Sequence, residues 1–405
     1  LDLKAVSMPK NGSSSLLFVT MFPQAIMSMV VLTPPVVADQ VTRAVNLPVE
    51  AAGFYTTLNY FFIACGTLCS GVLIPLIGPL RLSFACIFAG GFALALFGLA
   101  SVPAIVTAVA FMGLCYGPLT PSSTQAIASQ GRIENIALFM SVRQTAVPIG
   151  GILAGLVVPP LVVRFHLPTA MLMIGAVVTL AALFAGFGLK IVRSEVPLSK
   201  PLGRVGFFAP LRHMLQDGDL LKLSFGSMIY GALQLTISSL LVVFLMSTLG
   251  HDLIAAGLFL GVSQTGAVIG RIGWGFLADR LSALRAVLAG VGVGMSVTCV
   301  LAGMLWPSAP DWYLGVVVFA LGATTSGWNG VFLTCLIKAV PIEKAGFAAS
   351  GSLLFSYFGI VLGPPLFGIL ALLTSFSTAF LSFAVLALAG AFLCRPSASV
   401  PQVTT

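Results

Sequence analysis

Apolar residues run along this chain in long blocks, broken by short clusters of Gly, Pro and charged residues. Cutting at those clusters leaves twelve apolar segments: 16–38, 50–75, 82–100, 103–127, 135–160, 168–192, 218–247, 253–278, 283–305, 311–337, 344–370 and 373–394. A helix needs about 20 predominantly apolar residues to cross a hydrocarbon core about 30 Å thick. In hydrocarbon every backbone polar group must be bonded within the chain, so segments of this kind are predicted to be helices, and the chain an all-α membrane protein. The first segment, 23 residues long, exceeds the apolar core of a cleaved signal peptide and is kept as a span.

The single long polar stretch, 194–217, separates six spans from six. It predicts a bundle over 1–193, a cytoplasmic linker over 194–217 and a second bundle over 218–405. The halves also resemble each other. A shift of 204 residues places Ala51-Ala52-Gly53 on Ala255-Ala256-Gly257, Gly66 on Gly270, Gly71 on Gly275, Arg81 on Arg285 and Gly90 on Gly294. Further on, a shift of 209 pairs Glu134 with Glu343, Ser141 with Ser350 and Gly150 with Gly359.

Composition supports a membrane setting. The chain is 58% hydrophobic and 7% charged, against about 25% charged in a soluble domain; that is too little charge to cover a water-facing surface. The net charge of +8 would suggest nucleic acid in a soluble protein, but here it follows the positive-inside rule. With the N-terminus inside, cytoplasmic segments hold fifteen of the nineteen Lys and Arg, outer segments hold Arg43 and Arg164, and the spans hold Arg143 and Arg271. Both termini are then cytoplasmic, in a multi-pass protein of an inner or plasma membrane, with lipid and not nucleic acid as its surroundings. Cys65 and Cys69 stand i, i+4 but lack the further His or Cys that a metal site of three or four ligands needs. Packing between helices is the better reading, and no metal or cofactor is expected.

The two intramembrane arginines are the strongest chemical signal. Arg143 lies eight residues from the predicted inner start of its span and Arg271 eight residues before Asp279, so both sit roughly 12 Å into the membrane. An Arg at that depth costs about 3 kcal/mol on insertion scales. The eleven acids all fall at termini, in loops or at span ends. A guanidinium is a planar fork of donors that matches a carboxylate or phosphate, so the pair reads as an anion site. The competing reading has each arginine bonded to backbone carbonyls exposed by Gly and Pro, or snorkelling to an interface. Other polar residues at mid-span are Gln24, Tyr116, Thr120, Gln234, Gln264, Thr325, Trp328, Asn329 and Tyr357. Each has the interhelical hydrogen bond as its alternative role.

The segment Gly270-Arg-Ile-Gly-Trp-Gly-Phe-Leu-Ala-Asp279-Arg280 resembles the G-x-x-x-D-R loop motif of the major facilitator superfamily, in its second-half copy. The resemblance implies a gating latch built from Gly275, Asp279 and Arg280. The first-half copy, Gly71 to Gly78 followed by Arg81, has Pro75 where the Asp belongs. Val147-Pro148-Ile149-Gly150-Gly151 and Gly359-Ile-Val-Leu-Gly363-Pro364-Pro365 imperfectly resemble the Gly-Pro motif of antiporters in that superfamily. A bend with close packing is the alternative there.

The resemblance implies the major facilitator fold: twelve transmembrane helices in two pseudo-symmetric six-helix bundles, with the substrate site near the midplane between the repeats. Spans 1, 4, 7 and 10 would line the cavity, and spans 5 and 8 would be neighbours. Substrate-binding candidates are therefore Arg143, Arg271, Gln24, Tyr116, Gln234, Asn329 and Tyr357. The position of Arg271, four residues before Gly275, resembles the helix-8 arginine that binds carboxylate in the monocarboxylate and oxalate–formate transporter families.

No Gly-Lys dipeptide is present, so there is no P-loop and the chain is not by itself an ATP-driven pump; a membrane-embedded enzyme would need clustered His or acids, which the spans lack, so no enzyme is expected. A channel would need a continuous polar stripe or charged ring. The expected function is secondary active transport of a small organic anion, a mono- or dicarboxylate, by proton symport or anion exchange. Protons are the candidate coupling ion, and a monomer is the family expectation. The rival reading is a proton-coupled drug exporter of the same superfamily.

Overall fold

The computed structural model describes residues 10–37, 40–41, 44–46, 52–129, 135–192, 209–251 and 253–396. Both chain ends and the linker residues 194–208 lie outside the described residues, and with them the predicted placement of the termini.

The described residues form helices and no strand. The first half contains α1 (Lys10–Val36), α2 (Ala52–Ile77), α3 (Pro79–Phe97), α4 (Val102–Tyr116), α5 (Leu119–Ala128), α6 (Ile136–Gln144) and α7 (Ala146–Val192). A short α8 (Ala209–Gln216) precedes α9 (Gly218–Ser247), α10 (Leu253–Leu281), α11 (Leu284–Gly303), α12 (Asp311–Thr325), α13 (Asn329–Ala339), α14 (Ala345–Leu373) and α15 (Phe376–Cys394). Among the described residues ten helical runs are long and apolar enough to cross a membrane. One of them, 136–184, holds the fifth and sixth predicted spans together, because the backbone at His166 leaves the helical region (φ 59, ψ 162) without ending the run. The eighth predicted span, α10, is helical over 29 residues but is not among the ten. Among the described residues, all twelve predicted segments are thus largely helical.

Among the described residues the helical hydrogen-bond ladder is interrupted within three spans, here called breaks although the chain runs on in the same direction, which the apolar pattern does not reveal. The fourth breaks between α4 and α5 at Gly117-Pro118, the fifth between α6 and α7 at Thr145, and the tenth between α12 and α13 at residues 326–328. In two cases proline explains the loss of a helical bond. A helix bonds the N–H of residue i to the carbonyl of i−4, and proline has no N–H to give. Pro121 therefore leaves the Gly117 carbonyl without its ladder partner, and Pro148 does the same to Gln144. Such groups are tolerated at membrane depth only where other parts of the protein bond to them.

The described chain forms two compact units. One holds Leu1–Glu134, Thr145–His213 and Val340–Leu354; the other holds Asn135–Gln144, Met214–Ala339 and Phe355–Thr405. Helix α6, from the first half of the sequence, is therefore part of the second unit, and the start of α14 is part of the first. The same packing recurs inside each. A Cβ on Gly66 would lie 2.3 Å from the Leu114 carbonyl oxygen, and one on Gly270 would lie 2.2 Å from that of Ala323. Likewise Gly113 abuts the Asn59 backbone and Gly322 that of Ser263. These pairs correspond under the same shifts of 204 and 209 residues, so the sequence repeat is also a repeat of helix contacts.

Candidate functional site

Both intramembrane arginines belong to the second unit and are buried, Arg143 at 0% and Arg271 at 4% exposure. They converge on one residue. Arg143, in the last turn of α6, donates from Nη1 to the side-chain Oε1 of Gln144. Arg271, on α10, donates from Nη1 to the backbone carbonyl of the same Gln144 at 2.6 Å. Its Nε donates to the Ser326 carbonyl, where α12 ends, at 2.8 Å. Arg271 thus bonds to the carbonyls exposed at two helix breaks, which is the alternative role the sequence offered for it.

The polar chain continues through the break in the tenth span. The Nδ2 of Asn329 lies 3.4 Å from the Ser326 carbonyl and donates to Gln234 Oε1 at 3.1 Å; Trp328 Nε1 donates to the same oxygen at 3.0 Å. Trp328 is itself buried, edge-on to Tyr230. Gln234 and Asn329 are therefore brought together with the arginines in one hydrogen-bonded group. Tyr357 is buried in α14 of the same unit. Gln264 is exposed on α10, and Thr325 bonds back to the Leu321 carbonyl of its own helix.

The remaining candidates lie in the first unit. Thr120 donates to Gln24 Oε1 at 3.3 Å, and Ser28 and Tyr116 share a hydroxyl contact of 3.4 Å. Gln24 and Ser28 are one turn apart on α1, so they meet Thr120 and Tyr116 from a single helix face. Gly150 brings α7 against α1: a Cβ there would lie 2.3 Å from the Ala25 carbonyl oxygen. The Pro-Gly element of the fifth span is used here for close packing.

The first unit also contains the repeat counterpart of the arginine cap. Thr67, which the 204-residue shift places on Arg271, shares its single hydroxyl proton between the Ile63 carbonyl of its own helix at 2.8 Å and the Gly117 carbonyl at 3.1 Å. Gly117 in turn corresponds to Ser326 under the 209-residue shift. One break is therefore capped by a neutral hydroxyl and its counterpart by a guanidinium. The counterparts of Arg143 and Gln144 are the uncharged Ser352 and Leu353.

Of the three latch candidates, two make defined contacts. Asp279 accepts hydrogen bonds from the backbone N–H groups of Ala137 and Leu138, at 3.1 and 2.7 Å, at the start of α6. This places a carboxylate at a helix N-terminus, where the macrodipole favours it. Gly275 packs on α6, since a Cβ there would lie 2.5 Å from Ser141 Oγ and 2.8 Å from the Ala137 carbonyl oxygen. Arg280 is exposed. Among the described residues no group of three or more His, Cys, Asp or Glu is placed to hold a metal ion.

Two internal repeats of apolar helices are the layout on which many transport proteins of the membrane are built. The sequence profile of the Major Facilitator Superfamily matches residues 16–351, and the chain belongs to that family. It is a multi-pass integral membrane protein. No curated protein matches it in sequence.

Solved structures share the fold. FucP, a Major Facilitator Superfamily transporter in the outward conformation, superposes with a TM-score of 0.76 at 16% identity, covering 94% of this chain and 97% of that one. The human organic anion transporter TETRAN gives 0.73 at 14% identity, with 96% and 100% covered. A bacterial homologue of the iron transporter ferroportin, in its outward-facing state, gives 0.70 at 17% identity, with 94% and 97% covered.

The sequence reading did not single out Gln144, Thr67, Ser326 or Gln125. The 204-residue shift from Arg271 leads to Thr67, whereas Ser326 carries no comparable signal in the sequence. Gln144 would have emerged from asking which carbonyl Pro148 deprives of its partner.

Proposed function

We propose that the chain is a secondary active transporter whose cargo is a small organic anion, a mono- or dicarboxylate, carried by exchange or together with a proton. The observation that supports this reading is the unequal solution of the same backbone problem in the two repeats. Thr67 caps a broken span with a hydroxyl, which introduces no charge into the membrane. Arg271 caps the corresponding break with a guanidinium, at an insertion cost of about 3 kcal/mol. The cap alone does not require that charge, and a second guanidinium, Arg143, meets Arg271 at Gln144. Two guanidiniums that share one residue as a hydrogen-bond partner suit a receptor for an anion. The uncharged group of Gln234, Asn329 and Trp328 beside them suits the organic part of such a cargo.

The fold alone does not choose a cargo: one neighbour is described as an E. coli fucose:proton symporter and another as an organic anion transporter. The test is thermal stabilisation of the purified protein by mono- and dicarboxylates, phosphate, neutral sugars and cationic drugs, with Arg143→Gln and Arg271→Gln alongside. A ligand at 100 times its Kd adds about 2.7 kcal/mol of stability. A carboxylate that stabilises the wild type and neither variant is the expected result. Stabilisation by cationic drugs, equal in all three proteins, would replace this reading with that of a drug exporter.

A further inference from the structure

We propose that Gln144 is the site's internal stand-in for the cargo carboxylate: its side-chain oxygen occupies the place on Arg143 that the carboxylate takes, while its backbone carbonyl keeps Arg271 aimed at that place. The inference rests on the anion reading above and adds the residue that sets affinity and anion selectivity.

The geometry that points to it is the use of two acceptor atoms of one residue on two different guanidiniums. Neighbours in a helix do not normally face each other, yet Arg143 donates to the side chain of Gln144, the next residue. The helix ends there, so the side chain is not committed to a helical face. The carbonyl of Gln144 is available to Arg271 because Pro148, four residues on, has no N–H to offer it. Gln144 is itself buried, at 7% exposure. The repeat makes the arrangement specific to this unit, since Ser352 and Leu353 stand at the corresponding positions and can offer neither a guanidinium nor an amide.

A neutral amide suits this role on energetic grounds. Between cargoes, the amide oxygen satisfies the Nη1 donor of Arg143 and so relieves the desolvation penalty that this donor would otherwise bear. The guanidinium–amide bond is one charge-assisted contact, whereas a carboxylate adds its own full charge and can take two parallel N–H bonds from a guanidinium, so an arriving carboxylate displaces the amide. A glutamate at the same position would be a carboxylate tethered at the site, and an external one would not displace it. Because the stand-in competes with cargo, the apparent Kd is the intrinsic Kd divided by the fraction of time the amide is away.

The test uses the purified full chain, with thermal shift and Kd measured for acetate, lactate, oxalate and succinate. The proteins are the wild type, Gln144→Glu, Gln144→Ala and Gln144→Asn. Removing the competitor in Gln144→Ala is expected to tighten the best carboxylate by about threefold or more. Gln144→Glu is expected to melt above the wild type without ligand and to give no shift with any of the four. Gln144→Asn, whose shorter amide holds Arg143 less well, is expected to fall between wild type and alanine.

Equal carboxylate binding by wild type and Gln144→Glu would overturn the inference while leaving the anion reading standing. If the glutamate variant does not fold, an unchanged or weaker Kd in both Gln144→Ala and Gln144→Asn overturns it instead. If no carboxylate shifts the wild type at all, the anion reading fails and this inference with it.

Discussion

Gln125 and Gly346 are joined by a 2.8 Å hydrogen bond, from the glycine's backbone N–H to the glutamine's side-chain oxygen. The amide nitrogen of Gln125 donates to the Ile342 carbonyl at 2.9 Å, so one side chain ties both sides of the junction where α14 begins. The repeat counterpart of Gly346 is Ala137, at the start of α6, whose N–H is taken by the carboxylate of Asp279. Pro75 occupies the position corresponding to Asp279 in the first half and cannot serve. Gln125, from the end of α5, supplies the missing acceptor from a different element.

The two caps therefore differ in what they tolerate. Asp279→Asn exchanges one acceptor for an amide hydrogen-bond donor facing a backbone N–H and loses the favourable dipole. It is expected to destabilise the protein by about 1–2 kcal/mol. Gln125→Glu keeps the bond to Gly346 but sets a carboxylate against the Ile342 carbonyl, at a similar cost of about 1–2 kcal/mol. Unfolding of both variants in the same detergent checks the pair. A Gln125→Glu protein more stable than the wild type would show that this junction is suited by charge and not by a two-ended amide.

Arg271→Thr imports the solution that Thr67 uses in the first repeat. The hydroxyl is expected to cap Ser326 as Thr67 caps Gly117, so the variant should remain folded, within about 2 kcal/mol of the wild type. It should lose all stabilisation by carboxylates. Retained carboxylate response would remove Arg271 from the site, and collapse of the variant would make the guanidinium structural.

Thr67→Val is the reciprocal probe. It removes one hydroxyl bond at membrane depth, where interhelical hydrogen bonds average about 0.6 kcal/mol. A loss of that order in melting experiments, with carboxylate response intact, is expected. Loss of the response would give the first unit a direct part in the site.

Ser141 packs against Gly275 and Gly330, and the two glycines should respond differently to enlargement. At Gly275 a Cβ would meet Ser141 Oγ at 2.5 Å and Cβ at 2.6 Å, with the Ala137 carbonyl oxygen at 2.8 Å. At Gly330 it would meet Oγ at 2.1 Å but also the Ser141 Cα at 2.4 Å and N at 2.6 Å. Overpacking of this kind costs about 1–3 kcal/mol. Ser141→Gly should restore part of the stability lost in Gly275→Ala and little of that lost in Gly330→Ala, because a backbone clash survives removal of the side chain. A double-mutant cycle on each pair measures the difference.

Much of this architecture is legible in the apolar pattern, because span length and the repeat offsets depend on local composition alone. The caps on the broken spans are not. With 43 Gly and 24 Pro in the chain, nothing local marks Pro121 and Pro148 as the prolines that free a carbonyl another helix then uses. Asp279 stands out because a carboxylate at a span end is chemically conspicuous. Gln125 does the same task as a residue that any span end could carry. The burial of Arg143 and Arg271 was readable, but their meeting at Gln144 was not, since adjacent helical residues are expected to diverge. That meeting depends on the interruption after Gln144, which nothing in the apolar run announces.

The interruption at Thr145 also marks where the chain changes units. It leaves the second unit for the first between Gln144 and Thr145, where Pro148 has no N–H to give the helical ladder. It makes the comparable crossing between Leu354 and Phe355 inside the continuous helical run of α14, whose own prolines, Pro364 and Pro365, come only later. One crossing thus falls where a backbone bond is missing from the helix, and the other where the helix runs on.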